Sequence, residues 1–253
     1  MMSRLHRIVL ILIVLPAVFF LNGCIKGTST VQLDEVEIFS AAALNLAAAQ
    51  GRIHLQGDPK RNEEGSARIR TSLQVETYSL FGMAKPDTYL PLVRISPRLE
   101  EDTLVLATEL EARSLWDRLL VRVVPRVDRY LDIPTNLRTS VDLLVGDVEA
   151  ANLPGDLRIR VDAGHILVAP ESEIVGEQRF SIRLGDLEMA LPTYTAFRYD
   201  LQADLGTIST RNVALSLQTR FLGARASGVA GLPVRQGTVD AKVRCGSIRV
   251  NAE

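Results

Sequence analysis

The chain has 253 residues, 47% of them hydrophobic and 23% charged, with a formal net charge of −1. That composition closes a core and excludes a disordered, collagen-like or coiled-coil chain. Its 29 basic and 30 acidic side chains nearly cancel, so total charge points to no nucleic-acid partner; two cysteines, Cys24 and Cys245, build neither a disulfide framework nor a Cys-rich metal site.

Arg4, His6 and Arg7 precede an apolar run from Ile8 to Leu21, 14 residues interrupted only by Pro16. A spanning helix needs about 20 residues, so the run fits the central region of a signal peptide better than an anchor. It ends in Leu21-Asn22-Gly23-Cys24, which resembles the bacterial lipoprotein box, and that resemblance implies cleavage after residue 23 with Cys24 as the lipidated residue. Removal of residues 1–23 takes Arg4 and Arg7 with it, leaving 27 basic against 30 acidic side chains. Each buried lipid methylene contributes about 0.8 kcal/mol, so several acyl chains on one cysteine hold a protein at a membrane. Ile25, where an Asp would signal inner-membrane retention, leans towards the outer membrane. Residues 24–35 are expected to be the lipidated cysteine and a tether, with a single domain over 36–253.

The first regular segment is Leu46-x-Ala48-x-Gln50-Gly51-x-Ile53-x-Leu55. Its alternation predicts a strand, although Ala41 to Ala49 favours helix by propensity. Residues 59–65 read as a charged loop, Ala67 to Thr77 as a strand, and Tyr78 to Leu92 as irregular chain around Gly82, Pro86 and Pro91. A strand is expected from Thr103 to Thr108, a helical turn or loop from Glu109 to Asp117, and a strand from Arg118 that stops at Pro125.

Beyond residue 131 the pattern of the Gly51 segment returns with a period near twenty. Val141-x-Leu143-x-Val145-Gly146-x-Val148-x-Ala150 is followed by equivalents centred on Gly164, Gly185, Gly206 and Gly246. The glycines step by 18, 21, 21 and 40, the last step spanning a degenerate copy near Leu215 to Gly228. Alternation with a period of two on both sides makes each copy two short strands meeting at a glycine corner, where the inside/outside phase slips by one. Ile133-Pro134, Leu153-Pro154, Leu191-Pro192 and Leu232-Pro233 read as turns feeding the next strand. No covering helix intervenes. The expected fold class is all-β, a right-handed parallel β-helix or β-solenoid-like stack with turns of about 20 residues.

Chemistry is scarce. His54 and His165 sit in no metal spacing, Gly223 to Ala230 lacks the Lys-Ser/Thr pair of a phosphate loop, and no cofactor is implied. Cys245 is expected to face the core. Stacked strands bring equivalent outward residues within about 4.8 Å of each other. Two positions before the glycine, Asp162, Arg183 and Asp204 form a candidate ladder of alternating charge, with Arg244 after a degenerate turn. One position after it, Asp147, His165 and Asp186 place a histidine between two carboxylates. The ladder reading makes these residues set the stacking register; the alternative makes Asp147, Asp186 and Arg183 a carbohydrate-active groove.

Ile133-Pro134, Val141 to Ala150, Asn152-Leu153-Pro154-Gly155-Asp156-Leu157 and Ile159 to Val168 together resemble the bacterial family named "putative adhesin", which includes head domains of the GIN type. The Val-Gly-Asp-Val and Ala-Gly-His-Ile turns are the most diagnostic, within a resemblance covering about Val36 to Val250. It implies a right-handed β-helical stack in the cell envelope, anchored to a membrane through Cys24, non-enzymatic, and interacting with envelope protein or glycan.

Overall fold

The computed structural model describes residues 25–252 apart from 34, 40, 80–83, 194 and 232–236. Cys24, the signal segment and the Leu232-Pro233 turn lie outside the described residues. The elements in chain order are β1 (Ile25–Gln32), β2 (Val36–Phe39), β3 (Ala43–Gly57), α1 (Pro59–Glu64), β4 (Ser66–Ser79), β5 (Val93–Glu100), β6 (Thr103–Leu110), α2 (Leu115–Leu120) and β7 (Val121–Ile133). There follow β8 (Arg138–Ala151), β9 (Leu157–Ala169), β10 (Glu177–Leu191), β11 (Phe197–Arg211), β12 (Leu217–Thr219), β13 (Ala224–Ala230) and β14 (Gly237–Ala252). The chain is all-β, and it divides into two compact units.

The larger unit holds residues 32–73, 95–108 and 127–253. Its open sheet runs β7-β3-β8-β9-β10-β14-β11-β13-β12. Pairing is parallel from β7 to β11, whereas β13 returns antiparallel on β11 and β12 antiparallel on β13. The segment near Leu215 to Gly228, expected to be a degenerate parallel copy, is therefore a hairpin closing one end of the sheet. Ala43 to Gly57 is strand despite its alanines, because Leu44, Leu46 and Ala48 alternate into the core and β8 lies in register beside them.

Two sequence expectations give way to local chemistry. Residues 59–65 hold helix α1, not a loop: Asp58 accepts the Lys60 N–H at 2.9 Å as N-cap, Pro59 opens the helix, and Gly65 closes it with a φ of 61°. Pro125 does not end β7, whose ladder to β3 begins only at Arg129. Arg129 is itself buried, 1% exposed, and donates to the Leu106 carbonyl at 3.3 Å and the Thr108 hydroxyl at 2.8 Å. It fills the place where β3 changes partner from β6, at Ala43 to Leu46, to β7, at Ile53 to Gly57. Burial pushes its guanidinium down to about 10.

The smaller unit contains residues 25–31, 74–94 and 109–126. The expected tether is strand β1, in keeping with the β-branched Thr28, Thr30 and Val31. Lys26 Nζ lies 2.8 Å from the Glu76 carboxylate, which also accepts the Tyr78 hydroxyl at 2.7 Å. Both donors hold the Glu76 carboxyl below its usual range. Ser114 caps α2 by accepting the Asp117 N–H, and Asp117 in turn accepts the Tyr89 hydroxyl at 2.7 Å. Burial pushes that phenol up to about 12.

In the larger unit the repeat glycines stand side by side across the sheet: Gly51 beside Gly146, then Gly164, Gly185, Gly246 and Gly206. Buried residues alternate up to three positions before each glycine and resume two positions after it, as at Leu143 and Val148 or Ile182 and Leu187. The phase therefore slips, but over a wider corner than the pattern suggests. Val145, Leu184 and Leu205, expected inside, are about half exposed, and Cys245 in the same column is partly exposed. Their outward turn follows from the glycine geometry. At Gly164 φ is 149°, and a Cβ there would lie 1.7 Å from the Gly146 carbonyl oxygen; at Gly185 it would meet the Gly164 oxygen at 1.7 Å. Gly164→Ala should therefore destabilise by roughly 4 kcal/mol or more, since backbone is what must move. Gly65→Ala, with φ at 61° and nothing within 4 Å, should cost only the left-handed strain of about 1–2 kcal/mol. Urea midpoints compare the two; equal midpoints would contradict the tight glycine column.

Candidate functional site

The residues singled out from the sequence lie on either side of this column. Between β10 and β14 the ladder is interrupted around the glycine, passing from Leu184 opposite Cys245 to Leu187 opposite Ile248. A backbone N–H in that gap needs another acceptor, and a carboxylate supplies it. Asp186 accepts the Ser247 N–H at 2.7 Å and the Ser247 hydroxyl at 2.6 Å. Asp147 accepts the His165 N–H at 3.2 Å, and Asp128 accepts the Arg52 N–H at 2.8 Å. Each carboxylate serves the next strand in the same direction along the sheet. The two hydrogen bonds from Ser247 hold the Asp186 carboxyl below its usual range.

His165 does lie in register between Asp147 and Asp186, yet the contact to Asp147 runs through its backbone N–H. The carboxylates of the carbohydrate-active alternative are thus engaged with main chain. Arg183 lies on the other side of the corner from them, before the glycine. Asp128 had no signal in the sequence: its strand holds Val127 in the glycine slot, and the buried Arg129 breaks the apolar alternation that follows. His54 on β3 meets Glu149 on the adjacent β8 at 3.1 Å.

Two positions before the glycine the spatial order is Leu144, Asp162, Arg183, Arg244 and Asp204, because β14 lies between β10 and β11. Chain order places Arg183 between Asp162 and Asp204; the sheet instead places it between Asp162, at 3.3 Å, and Arg244. Strict alternation of charge fails at that point. Asp204 is 3.9 Å from Lys242 on the adjacent strand. Among the described residues no group of three or more His, Cys, Asp or Glu side chains is arranged to hold a metal ion.

The Asp186 contact makes a pH prediction. A carboxyl whose folded pKa lies below its ordinary 3.8 contributes stability that is present above that value and lost as pH falls through the folded one. Asp186→Asn should therefore lower stability near pH 7 by about 1 kcal/mol, and the gap to the parent should narrow towards pH 3. Urea titrations of both proteins at the two pH values measure it; a gap independent of pH would mean that the ionised carboxylate is not what holds Ser247.

No family model matches this sequence, and no curated protein matches it. Among solved structures, the chain is similar over 87% of its length, and 99% of the other chain, to a "putative cell adhesion protein" from Clostridium sporogenes, at 11% identity and a TM-score of 0.50. A "putative adhesin" from Bacteroides fragilis aligns over 89% of this chain and 97% of its own at 12% identity, with a TM-score of 0.25. One from Parabacteroides merdae aligns over 90% and 97% at 11% identity, also with a TM-score of 0.25. The first of these likenesses is one of fold, and the fold is what this chain shares with it.

Proposed function

We infer that this is a non-enzymatic, lipid-anchored protein of the bacterial cell envelope, whose body is a right-handed β-helix-like stack presenting its outward side chains for adhesion to protein or glycan. Chain length supports the stack. β8 and β9 are parallel neighbours with Thr139 opposite Leu157, and only five residues separate Ala151 from Leu157. Those residues reach at most about 20 Å, whereas a straight strand from Thr139 to Ala151 would run about 40 Å. The chain must double back within each strand, and the glycine is where the burial phase breaks. Parallel crossovers in one sheet are right-handed by strong preference.

The observation that carries the non-enzymatic reading is the engagement of Asp147 and Asp186 with the backbone of the next strand. An acid held ionised by two hydrogen bonds sets register; it is a poor proton donor near neutral pH. The name of the Clostridium sporogenes neighbour agrees with an adhesive role, and the Leu21-Asn22-Gly23-Cys24 box supports anchoring at Cys24, towards the outer membrane.

Fatty-acid labelling in a bacterial host tests the anchor: the parent should incorporate label and Cys24→Ala should not. Equal labelling would overturn the assignment of Cys24. Beads coated with the mature chain should bind isolated envelope fragments, with excess soluble chain competing. Absence of competed binding would overturn the adhesive role, and release of reducing ends from a polysaccharide, abolished by Asp147→Asn, would establish the enzymatic alternative instead.

A further inference from the structure

The outward face of the strand halves before the glycine carries charge that the fold does not need. On β9 the outward residues are Arg158, Arg160 and Asp162; on β10 they are Arg179, Ser181 and Arg183; on β14 they are Asp240, Lys242 and Arg244. The registers align them in three rows of three. Six cations and two carboxylates surround one serine, in a chain whose formal charge is −1. Ser181 has Arg160 and Lys242 opposite it on the flanking strands and Arg179 and Arg183 two residues away on its own strand. Its short side chain leaves the middle open, and the surrounding side chains line a trough of about 560 Å³. Sites for small ligands span about 300–1,000 Å³.

Internal pairing leaves much of this charge over. Asp162 lies 3.3 Å from Arg183 and 3.9 Å from Arg160, and Arg179 meets Glu177 at the rim. Arg158 and Arg244 have no carboxylate within 4 Å among the described residues. Arg158 stands opposite Arg179, and Arg183 opposite Arg244. Like charges opposite one another on neighbouring strands destabilise a sheet. An anion seated over Ser181 removes both repulsions at once and receives charge-assisted hydrogen bonds from guanidinium forks.

We propose that this trough binds a segment of an anionic polysaccharide, an assignment that rests on the adhesive reading above and names the chemistry of its partner. Acidic groups of the glycan sit on Arg158, Arg179, Arg183 and Arg244, while Asp162, Asp240 and Ser181 take hydroxyl groups. Two features favour a glycan over other polyanions. The site is recessed and carries carboxylates at opposite corners, which repel the flat phosphate layer of a bilayer. Its only aromatic lining residue, Phe180, is buried, so nucleic-acid bases find no stacking platform.

Binding of the full mature chain to immobilised polygalacturonate, dextran sulfate and uncharged dextran tests the proposal. The two anionic polymers should bind with an affinity that falls as salt rises, and dextran should not. The double variant Arg183→Glu/Arg244→Glu should bind at least tenfold more weakly. Lys60→Glu/Arg211→Glu, which changes net charge equally at exposed positions elsewhere, should bind like the parent. Failure to bind either anionic polymer, equal loss in both double variants, or tighter binding to phosphatidylglycerol vesicles or duplex DNA would overturn it. Competed binding of beads to envelope fragments that persists in Arg183→Glu/Arg244→Glu would overturn the trough alone and leave the adhesive reading standing.

Discussion

The larger unit depends on one repeated contact: a backbone carbonyl oxygen occupying the space where the next strand's Cβ would be. It runs from Val127 through Gly51, Gly146, Gly164, Gly185 and Gly246 to Gly206, with carbonyl oxygens 1.7–2.0 Å from each absent Cβ. Because the oxygen of one strand selects glycine on the next, the residue type propagates across the sheet, and with it the position of every corner. Register and corner are therefore one constraint. A slip of one residue on any strand would turn its apolar set outward and drive a side chain into a carbonyl.

The same corner explains how polar residues are distributed around it. Just after the glycine a backbone N–H turns to a side-chain acceptor, and Asp128, Asp147 and Asp186 accept it from three strands. Up to three positions before the glycine the parallel pairing is continuous, so outward side chains on that arm have no main-chain duty. Along that arm and at its end Arg158, Arg179, Arg183 and Arg244 collect. Acidic groups stabilise the corner, and basic groups are left to face solvent on the adjoining arm. A net charge of −1 hides this segregation, since a sum over the chain records nothing about which face each charge occupies.

Much of the architecture was legible because it rests on short-range periodicity. The ten-residue template located β3, β8, β9, β10, β11 and β14 and every glycine in the column, including Gly51 far upstream. What escaped was order across the sheet. Consecutive strands are adjacent in most sheets, and the spacing of the last glycines fits a degenerate turn equally well; the sequence carries no sign that the chain folds back as a hairpin before β14 inserts between β10 and β11. The alternating ladder built on Arg183 and Asp204 failed for that reason. The outward turn of Val145, Leu184 and Leu205 was hidden for another: their apolar character suggested burial, while the positive φ of the following glycine decided their direction. Helix α1 carries its own signals in Asp58, Pro59 and Gly65, which the charge of the intervening residues masks.

The placement of β14 bears on the order in which the sheet can assemble. β14, which follows the hairpin in sequence, is an interior strand, paired in parallel on both sides over most of its length. Until it has emerged from the ribosome, β10 and β11 cannot take their final neighbours, so the sheet cannot be completed from its earlier parts alone. A nascent chain built this way postpones completion of the sheet until residues 237–252 are available to it. Loss of residues 237–252 would accordingly do more than shorten an edge: it would remove the strand that joins the hairpin end of the sheet to the rest.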